Sequence, residues 1–563
     1  MLNPEEVIRT AIREHPSATD EKLVLETALD ALTRGAAEDT GYPLEVYLPP
    51  GDNENESEDG ATDWTRLKER WVGWGVEVPG EQPWIKETLD GSADVTERME
   101  SLHIVNGSTP SESQLSGIVK GKWPLPGGNF HGALIKIYDP NVSYRPATTY
   151  EFTGILSQSH LPASSDDFLS PVPDDTPAVL VPCIHVLTEP TEVYPLDPNL
   201  LGAYTTATQA VTRGAVIEYL AELLPRHPET KAVDRIAAEL LLLALIARVT
   251  SKAPGSVPLG TLSLNLLLPR ATPAVALPAQ NGAVNGIPNC TVNGTHDIPT
   301  NGVQNGALNG AEKRYPAFER VVKGIGRVIP LLVDVPLSMS LLSEHPFYPR
   351  SSHVVASSTT PGAHAGESLQ SGLLQRGPST MVLINEDTLE GGSLQDRGVK
   401  NLQALAETVK TQKLRYEFPY VSEDFGMETD LGFVVVGQGK TLLPVDLHMP
   451  LMGLEPASAP SSAEHDTTDI ASYLAQARAA SRELVIPADV AEFIQTEFIR
   501  LRREGLGTAP NGEKIAVGEA DLRNWMRIGR LLALSYPGAT FDREVWKRVL
   551  EIDLERKIRM SMR

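Results

Sequence analysis

The sequence predicts a multidomain α/β protein, and three observations carry that expectation. Residues 201–269 and 314–457 alternate continuous apolar runs with stretches at helical spacing, as strand–helix–strand units do. Residues 111–200 are β-rich, their short apolar runs bounded by Gly, Pro and Asp. After residue 466, apolar side chains recur only at helical spacing.

Composition narrows the function classes. At 563 residues, and roughly 150 residues per domain, three to four domains are expected. The apolar fraction of 41% is enough for sizeable cores. The net charge of −24 opposes direct nucleic-acid binding, which relies on a basic face, and favours a basic protein partner. Two distant cysteines, Cys183 and Cys290, exclude a disulfide framework and a cysteine zinc site and suit a reducing compartment. The first residues, MLNPEE, lack the basic and apolar parts of a signal peptide. The longest apolar run, 240–247, is far short of the roughly 20 residues a bilayer needs.

Residues 1–110 read as an N-terminal helical segment with acidic and Trp-rich loops. Helical spacing marks Val7, Ile8, Ala11 and Ile12, then Leu23, Leu25, Ala28 and Leu29. The acidic run 51–60 is expected to be solvated. Trp64, Trp71, Trp74 and Trp84 are read as a small core or staple in preference to a partner-binding patch. Strands are then predicted over 131–138, 150–156 and 179–186, spaced as in a small OB-like β-barrel. Tyr150 and Phe152 suit cross-strand packing better than base stacking, since no Arg/Lys cluster surrounds them.

A heavily apolar helix is predicted over 233–249 and a buried strand over 261–268. Pro269 follows, and then Asn-Gly pairs at 281, 285, 293, 301, 305 and 309, turn formers with little apolar surface. Residues 270–313 are therefore expected to form a disordered insertion. Order resumes with a strand over 328–335, a Ser/Thr/Pro-rich loop at 350–366, and the apolar run 378–387, which ends in Asn385, Glu386 and Asp387. A helix over 398–412 and strands over 413–418 and 431–437 complete this region. The helical part, 466–563, closes with a helix from Phe541 to about Arg559, capped by Thr540.

An apolar strand ending in acids is the layout of a magnesium site in an ATPase core. Yet no Gly-x-x-x-x-Gly-Lys-Ser/Thr run occurs in the chain, and Asn385 stands where an Asp would hold the metal. The stretch 437–440 (GQGK) is too short to cradle phosphates and follows the wrong strand. An ATPase-like α/β core whose chemistry is missing, followed by an all-helical tail, is the expected architecture. No Gly-x-Ser-x-Gly elbow is present, and His345, His353 and His364 have no ligand spacing. No catalytic, cofactor-binding or metal-binding residue is assigned, no cofactor is expected, and the chain is expected not to be an enzyme.

Ordered motifs carry a resemblance across most of 78–450. They are 78–87 (VPGEQPWIKE), 124–128 (PLPGG), 133–138 (ALIKIY), 151–157 (EFTGILS), 181–186 (VPCIHV) and 258–266 (PLGTLSLNL). Further on come 371–375 (SGLLQ), 384–394 (INEDTLEGGSL), 398–401 (GVKN) and 442–446 (LLPVD). Together they resemble the minichromosome maintenance (MCM) complex-binding protein family. The resemblance implies a small OB-like barrel, a degenerate AAA+-like α/β core lacking a P-loop and a C-terminal helical lid-like domain, in a nuclear, non-catalytic partner of MCM helicase subunits. It would regulate their assembly, stability or removal from chromatin in DNA replication and sister-chromatid cohesion. Chromatin association would be indirect, with no sequence-specific DNA binding and no membrane. The alternatives are a divergent AAA+ ATPase and a single-stranded-DNA-binding OB protein. Asn385 departs from the acid expected there, the Asn-Gly insertion looks private to this chain, and the first 77 residues match nothing.

Overall fold

The computed structural model describes residues 46–47, 68–88, 131–138, 144–160, 180–193, 211–269 apart from 228 and 253–256, 316–354, 366–417, 425–453, 467–479, and 484–563 apart from 511 and 539. The helical patterning of 1–36, the acidic run 51–60, Trp64, Cys290, the Asn-Gly segment and His364 lie outside these residues. The architecture is mixed α/β with several separate sheets.

Four strands build the first large sheet: β1 (Trp71–Val76), β2 (Gly132–Ile137), β3 (Gly154–His160) and β4 (Leu180–Val186). Their spatial order is β1-β2-β4-β3, antiparallel except between β2 and β4. Among the described residues this sheet is open, with β1 and β3 at its edges, and does not close into the expected barrel. β1 also corrects the expectation of a Trp-rich loop. Trp71 and Trp74 are strand residues because aromatic side chains suit a half-buried pleated surface, and they face opposite sides of the sheet.

The helices α1 (Arg213–Leu223) and α2 (Arg235–Ile246) start at caps legible in the sequence. Thr212 Oγ1 accepts from the Ala215 amide, and Asp234 Oδ1 accepts from the Ala237 amide. Ten of the twelve α2 residues are buried, which accounts for a helix without a polar stripe.

The central sheet contains β5 (Leu264–Leu267), β6 (Leu332–Pro336), β7 (Met381–Asn385), β8 (Gly432–Gly437) and β9 (Leu447–Pro450). All are parallel, in the order β6-β7-β8-β5-β9. Parallel sheets bury both faces, and the alternation shows it. Met381, Leu383, Val434 and Val436 face α2 and the C-terminal helices. Val382, Ile384, Phe433 and Val435 face the other side, with α4 (Asp396–Thr411).

α4 ends where Gln412 turns into the left-handed region at φ 52°. Its side-chain amide then brackets Leu431, donating to that carbonyl and accepting from that amide, each at 2.9 Å. Those two bonds offset the strain of a positive φ in a residue with a Cβ.

The β6 edge is covered from the N-terminal side. Leu332 donates to Gly80 O and Gln82 to Pro330 O, both at 2.9 Å. Gly80 has φ +88°, and a Cβ there would lie 2.9 Å from Leu332 O, so only glycine permits this approach. Trp84 Nε1 donates to Gly326 O at 2.8 Å while its ring packs on Ala475, a staple between distant parts of the chain.

Four C-terminal helices follow: α5 (Thr467–Ala479), α6 (Ala488–Glu504), α7 (Glu519–Leu534) and α8 (Arg543–Ser561). α8 is capped by Asp542, whose Oδ1 accepts from the Val545 amide at 2.8 Å, and not by Thr540 as expected. A carboxylate there also favours the positive end of the helix, which a hydroxyl does not. The helices pack on the sheet through one continuous core containing Trp525, Trp546 and Phe541.

Candidate functional site

The carboxyl ends of parallel strands are where open α/β sheets place their ligands. Here the strand-to-strand ladder runs on to the last residues of that edge. Leu268 donates to Gly437 O, Leu451 to Leu267 O and Leu337 to Asn385 O, at 2.9–3.0 Å. Arg563 Nη2 donates to Leu268 O at 3.0 Å and also to Gln438 O.

The three residues singled out from the sequence meet at the end of β7. Asn385 is 3% exposed and its Oδ1 accepts from the Asp387 amide at 3.1 Å, capping the short 3₁₀ turn Glu386–Thr388. Thr388 Oγ1 donates back to Asn385 O at 2.9 Å. An amide makes this cap without adding charge to a buried spot.

Both acids are turned toward the loop that follows β8. Glu386 Oε1 accepts from Thr441 Oγ1 at 2.6 Å and from the Leu442 amide at 3.1 Å. Asp387 Oδ1 accepts from the Gln438 amide at 2.8 Å, while its Oδ2 is buried without a hydrogen bond. Gly437 lies flat against them, with a built Cβ 3.4 Å from Glu386 Cβ.

Burial pushes the Glu386 carboxyl above the usual range, opposed by its bonds from Thr441 and Leu442 and reinforced by Asp387. Burial likewise raises Asp387 against the bond from Gln438. The stretch 437–440, considered above as a phosphate cradle, is thus the strap these acids hold down. The two acids act as internal acceptors at a strand end. No group of three or more His, Cys, Asp or Glu suited to a metal occurs among the described residues.

Other singled-out residues disperse. Tyr150 and Phe152 lie 6.0 Å apart, and Tyr144 meets Tyr150 edge-on at 5.3 Å. Phe152 packs on Ala133, Ile135 and Ile137, so these rings serve a core. His345 follows the short helix Met339–Glu344, and His353 sits on the hairpin strand Arg350–Val354. Cys183 is fully buried, its Sγ 3.7 Å from His185 Nε2.

Sequence reasoning missed the second half of the arrangement, the polar links that dock the helical domain. Arg559 pairs with Asp234, Arg213 and Arg548 both pair with Glu239, and Arg527 pairs with Asp446. Asp446 also accepts from Ser263, through its amide at 2.9 Å and its hydroxyl at 2.8 Å. The available signal was the cationic end of α8, read from sequence as a solvated face.

Comparison with known proteins bears on this arrangement. A family described as mini-chromosome maintenance replisome factor matches residues 94–280 and 308–560. A protein of Salmo salar called mini-chromosome maintenance complex-binding protein is 25% identical over 572 residues, covering 88% of this chain and 80% of its own. Its namesake in Arabidopsis thaliana is 25% identical over 475 residues, covering 81% and 67%. That of Homo sapiens is 24% identical over 475 residues, covering 78% and 63%.

Proposed function

Since the chain belongs to the mini-chromosome maintenance replisome factor family, we propose that it is a non-catalytic binding protein for MCM helicase subunits. In this reading it acts in the nucleus and governs the assembly, stability or removal of those subunits from chromatin, in replication and sister-chromatid cohesion. The name its relatives share, complex-binding protein, supports the binding role.

The observation that carries the non-catalytic part is the use of Glu386 and Asp387. Catalysis of phosphoryl transfer needs acids free to hold magnesium and backbone amides free to hold phosphate. Here the acids accept from Thr441, Leu442 and Gln438, the loop they hold is itself the glycine-containing stretch 437–440, and no phosphate-loop motif occurs in the sequence.

We read the five-stranded core as a degenerate AAA+-like sheet. Its support is an all-parallel order in which β5, the strand that would launch a phosphate loop, lies between β8 and the edge strand β9, with acid-ended β7 one strand beyond β8. The four-stranded sheet is read as a reduced OB-like unit. Such a core would offer helicase subunits a surface like the one they offer one another.

Two measurements test this. Affinity purification of the full chain from nuclear extract should recover MCM subunits, and their absence sinks the binding role. Magnesium-ATP should leave the melting temperature unchanged, and magnesium-dependent stabilisation would favour an ATPase instead.

A further inference from the structure

Beside the start of α4, two arginines have no anionic partner among the described residues. Arg397 is the second residue of the helix; among the described residues it makes no ion pair, and its Nε is buried without a hydrogen bond. Arg350 opens the hairpin strand Arg350–Val354 and, among the described residues, its side chain donates to the neutral Gln370 Oε1, from Nε at 3.3 Å and Nη2 at 3.2 Å. The Arg350 backbone pairs alongside that of Glu417, whose carboxylate reaches Lys400 on α4 at 3.7 Å, and Arg350 is the charged group that most depresses Arg397 after burial itself. Like charges set together in partial burial are unfavourable unless an anion lies between them.

The backbone fixes this apposition. Asn401, one helical turn after Arg397 and 1% exposed, donates to Leu342 O and His345 O at 2.7 and 2.8 Å and accepts from the Phe347 amide at 3.0 Å. That clamp holds the start of α4 against the segment leading to Arg350. Tyr348 is wedged alongside, with Arg415 5.9 Å over its ring.

Nearby carboxylates are committed elsewhere. Glu417 accepts from Tyr348 Oη at 3.0 Å and pairs with Lys400 at 3.7 Å. Asp396 is 86% exposed and pairs with Lys400, and Glu407 pairs with Arg415 at 3.6 Å. The chain carries 73 acidic residues, yet no described one pairs with Arg350 or Arg397. Gln395 leaves α4 without a side-chain cap, so the first-turn amides add a positive field.

We propose that Arg350 and Arg397, beside the uncapped start of α4, form a binding site for a phosphate monoester. Two guanidinium forks suit a phosphate dianion, which carries about −1.5 to −2 charge at neutral pH and several acceptor oxygens, better than a single carboxylate. The site goes beyond MCM binding and does not rest on it.

The test is isothermal titration of the full chain with inorganic phosphate and, separately, with a phosphoserine-containing peptide, at constant ionic strength. Saturable binding is expected, weakened about 10-fold or more by Arg397→Gln and by Arg350→Gln. Arg397→Lys keeps the charge but loses the fork and should fall between. Arg500→Gln, remote and already paired with Glu497 and Glu504, should bind as wild type. The tighter arm identifies whether the source is a modified partner or free phosphate. Absence of saturation with both probes overturns the site, as does equal binding by Arg397→Gln and Arg350→Gln variants whose melting curves match wild type. Equal binding of an unphosphorylated glutamate peptide overturns the preference for phosphate. None of these outcomes bears on recovery of MCM subunits.

Discussion

Arg559 Nη1 donates to Asp234 Oδ2 at 2.6 Å, joining the last helix to the cap of α2 across 325 residues, with the two side chains only 7% and 3% exposed. Asp234 caps α2 through its other oxygen, and Arg559 Nη1 also reaches Pro450 O at 3.3 Å. One buried pair therefore ties the helix, the β9 edge and the helical domain together.

Removing one partner strands the other charge out of water. Arg559→Met is expected to lower unfolding stability by about 3–5 kcal/mol. Combining it with Asp234→Asn, which can retain the cap, should recover part of that loss. Urea denaturation of the single and double variants measures the coupling, and additive losses would show that the pair does not act as a unit.

Glu386 makes stability depend on pH. Its folded carboxyl is held above the ordinary range, first by burial. The folded state thus binds this proton more tightly than the unfolded chain, so stability falls as pH rises through that window. Glu386→Gln can keep the acceptor for Thr441 and Leu442 and removes the titration. The stability of wild type minus that of the variant should therefore decline as pH rises above the ordinary glutamate range. A flat or rising difference contradicts the assignment.

Asn385→Asp would place a third carboxylate beside two that burial already disfavours, at a site 3% exposed. A loss of about 1–3 kcal/mol is expected near neutral pH. Thermal melts with and without magnesium check it, and recovery of stability by magnesium would mean that the acids can act as metal ligands after all.

Gly529 on α7 faces the Phe541 ring, and a built Cβ would lie 2.6 Å from Phe541 Cζ. Alanine favours a helix by about 1 kcal/mol over glycine. Phe541 is 1% exposed and Trp525 and Trp546 share its core, so the ring has little room to retreat. Overpacking of about 1–3 kcal/mol should win, and Gly529→Ala should melt below wild type in calorimetry.

Element types were largely legible. β5 to β8 of the central sheet, α2, α4 and the helical tail stand close to where periodicity puts them, because buried parallel strands and amphipathic helices leave strong local patterns, whereas the four-residue β9 was too short to leave one. β1 was not, since Gly73 and Gly75 interrupt the pattern and its pairing with β2 joins segments about 60 residues apart. The candidate site was half legible: the strand ending in Asn385, Glu386 and Asp387 stood out, but its partners Thr441, Leu442 and Gln438 lie more than 50 residues further on.

From sequence alone follow the α/β class, the absence of a phosphate-loop motif and the family resemblance, all properties of local pattern and motif order. Only tertiary structure decides that the acids serve as internal acceptors, that α8 uses its arginines for docking, and that no described carboxylate pairs with Arg350 or Arg397. The reason is physical. A strand's burial is written in its own residues, whereas a charge's role depends on which distant groups share its low-dielectric surroundings.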